Sequence, residues 1–120
     1  MNSREIEERL INFAAQIIEI CEGLSISHAG SILSHQLVKS ETSSALNYGE
    51  ARGAESRKDF LHKTKVVLKE LRETLVGLKI INKTNLCKSE QTLNLALREN
   101  EELVSIFVSS TKTMQKNNNR

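Results

Sequence analysis

Residues 56–83, SRKDFLHKTKVVLKELRETLVGLKIINK, carry two superposed rows at four-three spacing. Phe60, Thr64, Val67, Leu71, Thr74, Leu78 and Ile81 make a mostly apolar row, which on a helix of 3.6 residues per turn is one continuous stripe. Displaced by two residues, Lys58, His62, Lys65, Lys69, Arg72, Val76, Lys79 and Lys83 make a basic row on the opposite side of the same cylinder. Ser56 and Asp59 stand at capping-box spacing, so the segment is predicted to be a helix over residues 57–82, about 39 Å long. A rod of that length with one greasy and one cationic face is an element of a helix bundle, since the average globular helix has only about three turns.

Working outward, the flanking segments follow the same rhythm. Ile6, Leu10, Phe13, Ile17, Ile20 and Leu24 step four then three through the N-terminal segment. Asn2 and Glu5 form a second capping box, and Gly23 is expected to close this helix in a left-handed conformation. Ser27 is placed to cap a second helix whose apolar content is Ile32, Leu33, Leu37, Val38, Ala45, Leu46 and Tyr48, and Gly49 and Gly53 are expected to break or bend it. One stripe of that helix, Gln36, Ser40, Ser43, Asn47 and Glu50, is short and polar, and is therefore either solvated or paired with another helix. Beyond residues 82–89, Leu93, Leu97, Asn100, Val104, Phe107, Thr111 and Met114 mark a fourth amphipathic helix with one polar seam position, Asn100. The tail loses apolar content, and fraying is expected over residues 115–120. The expected fold is all-α: a single-domain, antiparallel, up-and-down four-helix bundle over residues 1–120.

Composition agrees. The 120 residues include no proline, five glycines and 27% charged side chains, a poor supply of turns for a β-sandwich and a good one for long helices. No run approaches the roughly 18 apolar residues of a membrane-spanning helix, and the charged start MNSREIEERL lacks the apolar run of a signal peptide, so a cytoplasmic chain with no membrane partner is expected. Aromatic residues make up only 3%, too few for a stacking platform for single-stranded nucleic acid. Cys21 and Cys87 form no CxxC pair and are expected to be small buried thiols.

The net charge of +2 conceals segregation. Residues 1–22 carry two basic against five acidic residues, a net of −3, whereas residues 55–84 carry eight against four, a net of +4. Cations on every turn along about 37 Å can follow a phosphate backbone, releasing counterions as they neutralise it. Lys58, Lys65, Lys69, Arg72, Lys79 and Lys83 are the proposed contacts to RNA or DNA. The same face can equally be solvated, or can meet the acidic row Glu5, Glu8, Glu19 and Glu22 of a second copy.

Catalytic chemistry finds little footing. His28 and His35 are two turns apart, about 10 Å, too far to share one ion, and no Glu-x-x-His pair occurs, so neither a metal nor another cofactor is expected. No nucleophile elbow or phosphate-binding glycine loop is present. Glu70, Glu73 and Thr74 could suggest acid–base carboxylates, but with the polar row of the second helix opposite them they read better as an interhelical network of Gln36, Ser40, Ser43, Asn47, Glu50, Glu70 and Thr74 that sets register or subunit pairing.

Residues 32–74 also resemble a bacterial family of four-helix-bundle proteins, the 23S ribosomal RNA intervening-sequence proteins. The resemblance rests on Gln36, Leu37, Lys39, Ser40, Ser43, Asn47, Glu50, Ala51, Ser56, Asp59, Phe60, Lys69, Glu70, Glu73 and Thr74. Two positions depart from the pattern: Lys39 stands where Arg is common, forfeiting bidentate contacts, and Leu75-Val76-Gly77-Leu78 replaces a segment that usually contains an aromatic residue. The resemblance implies an antiparallel four-helix bundle assembled as a ring-shaped homopentamer, some members being encoded inside insertions in ribosomal RNA genes. A distant relative, the accessory variability protein of diversity-generating retroelements, binds nucleic acid and a reverse transcriptase through a basic surface. The function expected from the sequence is thus a non-enzymatic, homo-oligomeric scaffold that contacts RNA or DNA, with a protein–protein adaptor as the alternative.

Overall fold

The structure, a computed structural model, describes residues 1–118. It consists of four helices, α1 (Ser3–Glu22), α2 (His28–Arg52), α3 (Arg57–Asn82) and α4 (Glu90–Asn118), in an envelope of 50 × 21 × 20 Å. Each helix starts on a side-chain cap that accepts an otherwise orphaned N–H: Asn2 Oδ1 from Glu5, Ser27 Oγ from Gly30, Ser56 Oγ from Asp59 and Ser89 Oγ from Thr92.

Cross-helix contacts give the topology. Glu7 meets Arg52 while Cys21 meets Ser34, so α1 and α2 run antiparallel. Ser40 meets Thr74 while Glu50 meets Lys63, so α2 and α3 do too. Asn100 reaches Leu71, and Phe107 and Phe60 both pack edge-on against Tyr48, which reverses α4 against α3. Contacts join α1 to α2, α2 to α3, α3 to α4 and, most sparsely, α4 to α1, leaving α1 and α3 on one diagonal and α2 and α4 on the other. The core comprises Leu10, Phe13 and Ile17 of α1, Val67, Leu71, Leu78 and Ile81 of α3, and Leu93, Ala96, Leu103 and Phe107 of α4, with Leu37 and Tyr48 from α2.

Three local expectations are corrected. Gly23 is right-handed (φ −93°, ψ 0°), and α1 ends because its N–H bonds back to Glu19 and Ile20 and Leu24 turns tightly onto Cys21; no described residue has positive φ. Gly49 does not interrupt α2: the helix continues to Arg52 and stops at Gly53, and Gly49 instead leaves room for the Glu7 carboxylate. Helix α4 runs to Asn118, through the first part of the segment expected to fray, and residues 112–118 contain no glycine or proline; loss of apolar content ends core packing before it ends the helix. Asn119 and Arg120, where that expectation also fell, lie outside the described residues. Both cysteines are half-buried and free, less enclosed than expected.

Candidate functional site

The basic row of α3 lies where its spacing puts it. Lys58, Lys65, Lys69, Arg72, Lys79 and Lys83 are all exposed, because Thr64, Val67, Leu71, Thr74, Leu78 and Ile81 take the inward positions of the same helix. Among the described residues the ion pairs are Arg9 with Glu99 and Glu102, Arg52 with Glu7, and Lys63 with Glu50, so none of the six has an ion-pair partner among them. Lys63 falls outside the row and turns toward α2, its Nζ 3.5 Å from Glu50. Val76 and Ile80, both exposed, interrupt the cations and give the lower half of the face an apolar component.

At the other end of the same diagonal, α1 presents Ile11, Ala15 and Ile18 to solvent among Glu8, Glu19 and Glu22. The molecule therefore carries an acidic, partly apolar side facing away from a basic one.

The polar stripe of α2 divides into two parts. Ser40 and Thr74 are buried and their hydroxyl oxygens lie 2.7 Å apart across the α2–α3 interface. Ser40 can also donate to Leu37 O and Thr74 to Glu70 O, so whichever hydroxyl donates across the interface, its partner donates to a carbonyl of its own helix and no proton is wasted. Beside this link Gln36, Lys39, Ser40, Ser43, Glu70 and Glu73 line a crevice of about 160 Å³. Burial raises the Glu70 carboxyl above its ordinary value and neighbouring Glu73 raises it further, with Lys69 and Lys39 acting in the opposite sense. Asn47 does not join the interhelical link: its amide donates to Ser43 O and Oγ within α2. Glu50 is exposed at the far end, with Lys63.

The feature that sequence reasoning missed is Glu41. Its side chain is 0% exposed and neither carboxylate oxygen has a hydrogen-bond partner; Ser44 Oγ and Asn100 Oδ1 are also buried and unpartnered, although Asn100 Nδ2 donates to Leu71 O. Burial pushes the Glu41 carboxyl up to about 9, opposed by the nearby Ser44 hydroxyl and reinforced by the charge of Glu70. The signal was present in the spacing: Leu37, Glu41, Ser44, Tyr48 and Ala51 step four-three-four-three, the rhythm of every other core row in the chain.

Comparison with known proteins accords with this architecture. A crystal structure at 1.70 Å of a protein with unknown function from the S23 ribosomal protein family of Bacteroides thetaiotaomicron VPI-5482 superposes with a TM-score of 0.83 at 26% identity, over 93% of this chain and 99% of that one. No curated protein matches the chain. The model of the 23S rRNA-intervening sequence protein family matches residues 3–109, helices α1 to α3 and most of α4, and the chain belongs to that family.

Proposed function

We propose that this protein is a non-enzymatic, homo-oligomeric bundle of the cytoplasm that holds RNA or DNA along the outward face of α3. The observation that carries the reading is the row of six exposed cations with no ion-pair partner among the described residues. Lysine and arginine spaced along one face of a helix supply charge but little base-specific geometry, so the binding is electrostatic and indifferent to sequence. The absence of tryptophan and the low aromatic content favour a duplex over a single strand.

A salt titration tests the proposal. Binding of a generic RNA duplex and a generic DNA duplex should weaken with a slope of log affinity on log salt of about −5, as neutralising six phosphates requires. Replacing Lys65 and Lys69 by alanine should flatten that slope by about 2. A slope near zero overturns the reading.

Exposed Ile11 and Ile18 favour a protein contact on α1 as a second reading. Within the first reading that contact joins copies of this chain, five being the number the family resemblance implies; in the alternative it serves an adaptor that touches no nucleic acid. The same titration separates the two.

A further inference from the structure

The row Leu37, Glu41, Ser44, Tyr48 and Ala51 turns α2 toward the core, and at its centre the bundle encloses a carboxyl group whose oxygens have no hydrogen-bond partner, the nearby Ser44 hydroxyl being itself unpartnered. An ionised carboxylate stripped of water, with one neutral hydroxyl, Ser44, near it and no cation, is untenable in such a place, whereas a neutral carboxylic acid forfeits only hydrogen bonds. Neighbouring groups offer no counter-charge. From α3 the charge acting on Glu41 is another carboxylate, Glu70, itself beside Glu73 and Lys69, while Lys39 of α2 acts on Glu70. On α1 the half-buried Glu7 and Arg9 are engaged by Arg52 and by Glu99 and Glu102, and α4 contributes Asn100 to the core as a buried amide.

We propose that Glu41 is a proton-linked latch: the bundle closes over α2 only around the neutral acid, and loss of that proton drives the middle of α2 away from the core. In the opening step the carboxyl O–H bond breaks, the proton passes to hydroxide or buffer base in the solvent, and the carboxylate left behind gains water by leaving its seat. Nothing is oxidised or reduced, and no other molecule is consumed. The inference does not depend on nucleic-acid binding.

The direction of the pH effect follows from linkage. The carboxyl group lies at about 9 in the folded chain against an ordinary 4.5, so the folded state holds a proton that the unfolded state has released. The stabilisation is complete below about pH 4.5, falls roughly tenfold in the folding constant per pH unit as pH rises toward 9, and levels off above that. Glu41→Gln keeps the shape of the neutral acid and has no proton to lose. Urea unfolding of the native chain and of Glu41→Gln, compared across this range, should give a ratio of folding constants that grows about tenfold per pH unit in favour of the glutamine variant. A ratio that does not change with pH overturns the latch.

Two measurements remain decisive even if the variant folds poorly. In the native chain labelled with ¹³C at glutamate carboxyls, one resonance should titrate well above the others; all of them titrating together at the ordinary value overturns the proposal. Amide hydrogen exchange, corrected for its intrinsic pH dependence, should show protection in the middle of α2 falling as pH rises while α3 keeps its own. Simultaneous loss in all four helices also overturns it, because the opening would then be global unfolding.

Discussion

Gly77 of α3 leaves room for the Leu37 side chain of α2. A Cβ built on it would lie 2.6 Å from Cδ2 and 3.1 Å from Cγ of Leu37, a side chain only 1% exposed and held in the core. Two effects compete when glycine becomes alanine. Helix propensity favours the change by about 1 kcal/mol, and overpacking opposes it by about 1–3 kcal/mol because the obstructing Leu37 is itself buried in the core. Gly77→Ala is therefore expected to destabilise the native chain by about 1 kcal/mol. In a Leu37→Ala background, where the obstructing atoms are gone, the same substitution should stabilise by up to about 1 kcal/mol. Urea denaturation of the four proteins checks this reversal of sign, and destabilisation of equal size in both backgrounds would assign the effect to something other than Leu37.

At the scale of the element, α2 differs from its neighbours in how its faces are made. Three of its fully inward positions are Ser40, Glu41 and Ser44, while its apolar Ile32 and Leu46 are exposed. Its seating on α3 consequently relies on the Ser40–Thr74 link as well as on apolar area. Because each hydroxyl keeps a carbonyl of its own helix when the other is removed, Ser40→Ala and Thr74→Val should each cost about 1 kcal/mol, with a coupling of similar size in the double-mutant cycle. Asn47→Ala paired with Thr74→Val should show no coupling, since Asn47 bonds only within α2. Coupling at Asn47 as well as at Ser40 would mean that the polar stripe acts as the undivided unit its spacing suggests. This division also explains what could be read in advance. The rows of α1 and α3 are apolar enough that period alone orients them, and an outward basic face needs nothing beyond period, so the six cations of α3 are legible from sequence. On α2 the inward row and the polar stripe are both polar. Choosing between them requires accepting a buried carboxylate, against the strong tendency of charged side chains to remain solvated, and Glu41 was hidden by that rule rather than by any lack of periodicity.

For the whole molecule, the decisive fact is that α1 and α3 occupy one diagonal, so the acidic side and the basic side look in opposite directions. A contact between the α1 face of one copy and the α3 face of the next would be head-to-tail, closing into a ring when the rotation per copy allows it. It would also compete with a polyanion for the same lysines. A joint built on α1 against any other face would leave the α3 row free, and the two arrangements separate experimentally. Ile11→Glu with Ile18→Glu puts two carboxylates into the apolar centre of the α1 face, where both side chains are more than 40% exposed and make no essential core contact. The fold should therefore survive, and if copies join through α1, as proposed, sedimentation should show the native oligomer replaced by monomers. If assembly leaves the cations accessible, as the proposed nucleic-acid face requires, the salt slope per protomer stays at about −5 in both proteins. A slope that steepens only on dissociation places a neighbouring subunit over Lys65, Lys69 and Arg72 and makes that face a joint; an unchanged mass removes α1 from the assembly and leaves Ile11 and Ile18 to a different protein.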